Sequence, residues 1–439
     1  MLRTLKHLVP RFIIHAYHGL VARTATIRYG WPSRKVLVIG VTGTKGKSTT
    51  VAMLAHCLTA LGERVAFSST VQWGLLGTTW PNRSKMTMPG RGELQKFLRR
   101  AVRAGCTDVV LEVSSEGLAQ DRHAGIIFDA AAFLNLTPEH VESHGGFLAY
   151  RMAKEKLFGS LKRSWRKNLQ GKLTKTVIAA NLDDPLAFSF LRHAADVYVG
   201  FTQTQNPVRD VPGLHVLRAA HVQSTASQST FRLGQVTCTL PVLGAFNVEN
   251  ALATLAVLEG LGYDRVRAAA ALRNFAGVPG RMEEVQLNAS FRVFVDYAHE
   301  PASLQAAYAA AKLLQPVRLL VLLGAQGGGR DIAKRSVMGA LAAEHADVVM
   351  VTNEDPYDES PENIIADVAT AAASVGKAQV LRVTDRGEAI ARLLALAQPG
   401  DVLLLTGKGG EQVMAVAYGT LLPWDDRAII KTAYAQLRS

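Results

Sequence analysis

The chain predicts an alternating α/β architecture with mostly parallel sheets, and three observations carry that expectation. The run KVLVIGV (Lys35–Val41) reads as a buried strand that leads through a glycine-rich turn straight into the apolar stretch VAMLAHCLTALG. Further strand-like runs follow at DVVLEV, FDAAAFLNL, TVIAAN, RVFVDYA, RLLVLLG, DVVMVTN and DVLLLTG, separated by alanine- and leucine-rich helical stretches. Near GVPGR (Gly277–Arg281), proline and glycine interrupt helix-forming sequence before a new strand series begins. The expected division is a short basic N-terminal helical segment (1–34), a central domain (35–276) and a C-terminal domain (277–439).

Composition supports a folded chain with sizeable cores. Of 439 residues, 48% are hydrophobic and 19% charged, and mean hydropathy is +0.11. The 49 basic against 36 acidic residues give +13, a charge suited to anionic partners. Cys57, Cys106 and Cys238 are too few and too scattered to staple the chain, so a reducing cytoplasm is expected. No apolar run approaches about 18 residues and no cleavage signal stands at the N-terminus, which argues against a spanning helix or a secreted protein. The first acidic residue is Glu63, preceded by nine lysines and arginines from Arg3 to Lys47. Leu5, Val9, Phe12, Ile13 and Leu20 fall near helical spacing, and Pro10 suits a first turn. A basic amphipathic helix follows, packed on the protein's own body or touching a membrane through residues 1–33. Between Ser160 and Lys175, six basic and no acidic residues read as an exposed loop or a solvated helix face. No repeat or low-complexity tract is present.

Chemistry concentrates in GVTGTKGKSTT. Between a strand and a helix, Gly43, Thr44, Lys45, Gly46, Lys47, Ser48 and Thr49 are placed for backbone amides to cradle phosphates, for a lysine to neutralise them and for a hydroxyl to hold Mg²⁺. Val41 replaces the first glycine of the general GxxxxGK[ST] pattern, with glycines at 40, 43 and 46 instead. Glu112 closes the strand DVVLEV at its carboxyl end, where open α/β sheets put their chemistry.

The spacing GxTGTxGK[ST] resembles the nucleotide loop of the Mur ligase superfamily, which includes folylpolyglutamate synthases. The resemblance continues through LEVSSEGLAQDR, NLTPEHVESHGGFLAYRMAKEKLF, GAFNVENALA, GVPGRMEEV, VFVDYAHEP, GGGRDIAKR, TNEDPYDESP and TGKGGE, in the order of MurE-type ligases, and covers the chain after Arg34. It implies a P-loop central ATPase domain with a mostly parallel sheet plus a Rossmann-like C-terminal α/β domain. The implied activity is ATP-dependent addition of an amino acid to a UDP-MurNAc-peptide through an acyl phosphate. Lys47, Glu112, His140, Lys154 and Arg281 would be catalytic. Two Mg²⁺ ions would be held by Ser48, Glu112, His140 and a CO₂-derived carbamate on Lys154. ATP would also meet Asn247 and Asn250 on its adenine side, Arg281 at phosphate and Asp296 at ribose, the second domain completing the site.

For the acceptor, the resemblance points to Thr87, Pro89, Ser114, Ser115 and Arg122. Met88 replaces the second threonine of a TTP motif, and Glu116 stands where a histidine is usual. For the incoming amino acid it points to Arg330, Asp355, Tyr357, Gly407 and Glu411. Tyr357 takes the place of an arginine that clamps a carboxylate of meso-diaminopimelate, so L-lysine or another amino acid is favoured, with Asp355 and Glu359 facing a side-chain ammonium. MurE-type ligases carry a full N-terminal domain for the UDP-sugar, whereas residues 1–34 alone precede the loop strand. A loosely held uridine end or a lipid-linked acceptor is therefore expected. The alternatives are a ligase on another carboxylate, of folylpolyglutamate or cyanophycin type, and a nucleotide-dependent binding module. Base-reading elements are not identifiable, so no nucleic-acid partner is expected. A cytoplasmic monomer completes the reading.

Overall fold

The computed structural model describes residues 11–84, 86–90, 92–138, 144–161, 166–169, 171–205, 211–329 and 332–438, with side chains from Tyr17 onward. The chain forms two compact units. The first extends to Gln223 and takes in Ser229–Pro241 and Phe246–Phe275; the second comprises Ser224–Gln228, Val242–Ala245 and everything from Ala276.

In the first unit, α1 (Arg11–Arg28) precedes strand β1 (Leu37–Thr42) and helix α2 (Lys47–Ala60). Leu5, Val9 and Pro10 lie outside the described residues, as do the side chains of Phe12 and Ile13. There follow β2 (Val65–Ser68), β3 (Gln72–Leu75), β4 (Thr78–Pro81), α3 (Glu93–Arg103), β5 (Asp108–Glu112), α4 (Ser115–Ala119), β6 (Ala130–Phe133) and α5 (Phe147–Gly159). A small hairpin, β7 (Asn168–Leu169) and β8 (Lys172–Leu173), leads to β9 (Val177–Asn181), β10 (Val197–Thr202) and β11 (Leu214–Arg218). These strands make a nine-stranded sheet in the order β11-β10-β9-β6-β1-β5-β2-β3-β4. All neighbours pair in parallel except β2–β3 and β3–β4, which form an antiparallel edge.

Both faces of this sheet are covered, which is why its central strands read as unbroken apolar runs. On one face Val38, Val109, Leu111, Ala131, Phe133 and Ile178 share a core with Phe97 and Leu98 of α3 and Leu157 and Phe158 of α5. The other face packs against α2 and the helix Phe246–Gly260. The order reverses around β1, whose neighbours are β5 and β6, so the switch point lies at the carboxyl end of β1. A separate antiparallel sheet comprises β12 (Ala220–Ser224), β13 (Ser229–Leu233) and β14 (Val236–Leu240). The sequence reading did not foresee it.

The second unit holds β15 (Glu283–Glu284), β16 (Arg292–Val295), β17 (Leu319–Leu323), β18 (Val348–Val351), β19 (Gln379–Arg382) and β20 (Val402–Leu405), in the order β15-β16-β20-β17-β18-β19. Only β15 runs antiparallel to its neighbour. All eight strand-like runs of the sequence are strands here. No helix among the described residues is long and apolar enough to cross a membrane.

One expectation is corrected. Lys167, in the basic stretch 160–175, is not solvated: its Nζ is buried, donating to Asp129 Oδ2 (2.5 Å), Val36 O (2.9 Å) and Ile127 O (2.7 Å). The β7–β8 hairpin carries it under the amino ends of the sheet, where two backbone carbonyls and a carboxylate compensate its charge.

Candidate active site

The phosphate loop is shaped by contacts that leave its helix end open. Gly46 adopts φ +81°, and a Cβ there would stand 2.2 Å from Asn250 Oδ1, so glycine is required on both counts. No side chain caps the first turn of α2 at Gly46, which leaves its N–H groups for an anion. Asn135 Oδ1 pins the loop by accepting the N–H groups of Thr44 (3.0 Å) and Lys45 (2.8 Å). Lys47 Nζ donates to Thr44 O at 2.9 Å. Asn247 and Asn250 share a face of their helix, as i,i+3 spacing predicts, joined by a 3.1 Å bond from Asn250 Nδ2. Both are buried, and Asn250 Oδ1 accepts from Thr50 Oγ1 at 3.3 Å, so the pair braces α2 behind the loop.

Register places the acidic partner. Val41 pairs with Glu112 across β1 and β5, so the carboxylate stands beside the loop. Ser48 Oγ donates to Glu112 Oε2 at 2.7 Å, Thr70 N–H donates to the same oxygen at 2.7 Å, and Thr70 Oγ1 donates to Oε1 at 2.8 Å. A buried carboxylate and a hydroxyl converging next to a helix N-terminus form the oxygen donor set that Mg²⁺ takes together with phosphate oxygens. These residues fit the ion. His140 lies outside the described residues, and among the described ones no group of three or more His, Cys, Asp or Glu side chains gathers for a metal.

Lys154 separates clearly from its neighbour Lys156. It is 2% exposed, its Nζ donates to Gly43 O at 2.7 Å and it stands 4.8 Å from the centre of the Tyr150 ring. Lys156, by contrast, is exposed and pairs with Asp121 at 2.7 Å. The periodicity of α5 thus aims one lysine at the phosphate loop and the other at solvent.

Residues assigned to the acceptor gather around α4. Ser114 caps that helix by accepting Gly117 N–H at 3.2 Å. Ser115 Oγ lies 3.1 Å from His144 Nε2. His144, from the SHGG stretch, supplies an imidazole beside the serine pair although Glu116 replaces the usual histidine; only its place in the matched motif could have signalled it. Thr87 Oγ1 bonds Thr70 Oγ1 at 2.8 Å, linking this segment to the partner of Glu112. Arg122 is held by Gln120 Oε1 through Nε (2.9 Å) and by Met88 O through Nη1 (2.6 Å). Met88 and Pro89 are buried, and the methionine packs against Gly117 in the core, so the missing threonine is exchanged for packing.

In the second unit, Arg281 stacks on Tyr297, its guanidinium carbon 4.4 Å from the ring centre. Asp296 accepts the N–H groups of Met282 (2.7 Å) and Ala298 (2.7 Å), tying GVPGR to DYAH. Burial raises its pKa, and the Arg281 charge opposes that rise. Arg330 lies outside the described residues. The two carboxylates expected to face an ammonium are both engaged: Asp355 Oδ1 accepts from Lys408 Nζ (2.9 Å) and Ala415 N (2.7 Å), and Glu359 is clamped by Arg335 (2.7 and 2.8 Å). Lys408 also binds Glu411 at 2.6 Å.

Sequence reasoning passed over the adjacent Glu354. It is fully buried, neither carboxylate oxygen has a hydrogen-bond partner among the described residues, and burial, helped by Asp355, pushes its pKa up to about 7 against the pull of Arg386, Lys408 and Lys334. Gly407, at φ +100°, makes room for it: a Cβ there would lie 2.2 Å from Glu354 Oε2. Tyr357 adopts φ +53° and lies over Gly328, 3.5 Å from where a Cβ would sit.

Comparison with known proteins agrees with this geometry. The Mur ligase middle domain family matches residues 41–258, and the family described as Mur ligase, glutamate ligase domain matches 280–409. A UDP-N-acetylmuramyl-tripeptide synthetase of Roseiflexus sp. (strain RS-1) is 36% identical, the alignment covering 98% of this chain and 84% of that protein. A UDP-N-acetylmuramoyl-L-alanyl-D-glutamate--2,6-diaminopimelate ligase of Gloeobacter violaceus is likewise 36% identical, with 98% and 84% covered. The solved structure of a ligase of that second name superposes with a TM-score of 0.61 at 29% identity, over 92% of this chain and 79% of that one. A folylpolyglutamate synthase of Mycobacterium tuberculosis shares the fold, with a TM-score of 0.66 at 17% identity over 89% of this chain and 92% of that one.

Proposed function

This chain belongs to the Mur ligase family, and from that premise we propose that it is an ATP-dependent ligase joining an amino acid to the carboxylate of a UDP-MurNAc-peptide or related peptidoglycan precursor. The observation that carries the proposal is the convergence of Ser48 and Glu112 beside an uncapped helix N-terminus, with Lys154 on the Gly43 carbonyl of the same loop.

In this reading an acceptor carboxylate oxygen attacks the γ-phosphorus of ATP, ADP leaves, and the resulting acyl phosphate is attacked at carbon by the amine, which loses a proton as phosphate departs. The N–H groups of α2 and Lys47 hold the phosphoryl oxygens and offset the charge that builds on them. Ser48 and Glu112, with His140 and a carbamate on Lys154, are the proposed Mg²⁺ ligands; the ions supply charge neutralisation and alignment of the phosphates. Arg281, Asp296, Asn247 and Asn250 keep the nucleotide roles that the resemblance implies. Ser115 and Arg122 orient the acceptor, with Thr87 and Pro89 shaping its path.

The amino acid proposed is L-lysine or another with a side-chain ammonium, rather than meso-diaminopimelate. Tyr357 offers neither charge nor fork to a second carboxylate, and the Glu354 carboxylate, with no hydrogen bond among the described residues, has both oxygens open to a cation. The reading includes a cytoplasmic monomer with peripheral membrane contact through residues 1–33. The test is ATP-dependent phosphate release with UDP-N-acetylmuramoyl-L-Ala-D-Glu across a panel of amino acids, with product mass confirmed. Release that requires the acceptor and one cationic amino acid is expected. Release with meso-diaminopimelate alone overturns the amino-acid assignment, and silence across the panel with ATP binding intact overturns the acceptor.

A further inference from the structure

α1 packs in an inverted sense. The side it turns to the protein carries small residues: Gly19, Ala22, Ala25 and Thr26 are buried, with the Ala25 methyl 2.7 Å from where a Cβ on Gly92 would sit. Its large apolar residues point the other way. Tyr17 is 53% exposed, Leu20 62%, Ile27 66%, and Trp31, just past the helix end, 38%. At about 100° per residue, Tyr17, Leu20 and Ile27 fall on one stripe, with Arg23 on one border and Arg28 on the other. The Arg34 guanidinium stacks on Trp31 at 4.3 Å, adding charge at the stripe's end. No acidic residue precedes Glu63 in the chain.

A helix that merely stabilised its own unit would bury Leu and Ile and expose Ala; this one does the reverse. We infer that this face of α1 is the surface that docks the protein on an anionic bilayer, its apolar residues entering the headgroup boundary and its arginines meeting lipid phosphates. Charge decides the occupant. Two copies meeting α1 on α1 would bring the same arginines together with no carboxylate on either helix to answer them, whereas an anionic lipid surface answers both the apolar stripe and its borders.

The docked helix would lie along the acceptor segment, because His18 Nδ1 and Arg122 Nε stand 3.4 and 3.6 Å from where a Cβ on Gly90 would be. That consequence rests on the ligase reading; the docking itself does not.

The test is co-sedimentation of the full chain with sucrose-loaded phosphatidylcholine vesicles, with and without about one-third phosphatidylglycerol, at low and high salt. Binding to the anionic vesicles alone, weakened by salt, is expected. Leu20→Glu with Ile27→Glu should lower partition at least tenfold, and Arg23→Gln with Arg28→Gln several-fold with a flatter salt dependence. Both pairs are exposed, so thermal melts should superimpose on the parent's, and phosphate release with a soluble acceptor should be unchanged. Equal binding to both vesicle types, no binding, or indifference to the substitutions overturns the inference. So does a dimer, seen by light scattering, that Leu20→Glu with Ile27→Glu abolishes, because the face would then belong to a second copy. Vesicle binding decides the matter even where no ligase activity is found.

Discussion

Replacing Glu354 by glutamine should make the protein more stable and a worse enzyme. The carboxyl is fully buried, without a hydrogen-bond partner among the described residues, and its pKa is pushed up to about 7 from 4.5 by burial first and Asp355 second. At 1.36 kcal/mol per pH unit, that rise amounts to roughly 3 kcal/mol. The sign follows from which state keeps the proton. Below pH 4.5 both states are protonated and nothing is lost; between 4.5 and about 7 the unfolded chain ionises while the folded one holds its proton, so stability falls as pH rises through that window. Glu354→Gln removes the titration. Its stability should match the parent's near pH 4.5 and exceed it by roughly 3 kcal/mol at pH 8. In calorimetry of the full chain, the transition of the second unit should rise by about 6–12 °C. Function moves the opposite way: KM for the cationic amino acid should increase at least tenfold. In the parent that KM should climb about tenfold per pH unit below 7, a dependence the glutamine variant loses. A stability difference that is the same at pH 5 and pH 8, or an unchanged KM, would refute the reasoning.

Gly46→Ala must force a Cβ into a left-handed backbone position 2.2 Å from Asn250 Oδ1, so calorimetric titration should show ATP binding weakened at least tenfold while the fold persists. Lys154→Ala should lower phosphate release by about 100-fold, with partial recovery on adding short carboxylates; an unimpaired variant ends the carbamate proposal. Asp129→Asn leaves the buried Lys167 ammonium without its counter-charge and should cost about 3–5 kcal/mol in urea unfolding, much of it regained when Lys167→Met is added.

Much of the site was legible because its signals are local. A buried strand, a glycine loop and an amphipathic helix occupy adjacent residues, and the loop's chemistry follows from backbone N–H groups that such a turn must expose. Glu112 was legible as the last residue of a strand. Lys154 was legible only through its motif, since helical spacing alone does not say which of two lysines two residues apart faces the sheet. Glu354 was passed over because a carboxylate in a turn-like sequence, next to aspartate and proline, reads as solvated; nothing in its neighbours announces that Gly407 closes over it from the far end of the unit.

The sequence by itself determined the alternating architecture, the segments that become the major strands and the phosphate loop, since periodicity and glycine spacing are properties of neighbouring residues, and its motifs carried the resemblance to the family. The tertiary structure alone decided which charges are answered. Lys167 found Asp129, Arg335 took Glu359 and Lys408 took Asp355, while Glu354 was left with no hydrogen-bond partner among the described residues. Whether a charge is solvated, paired or stranded depends on groups brought from distant parts of the chain, and only folding brings them together.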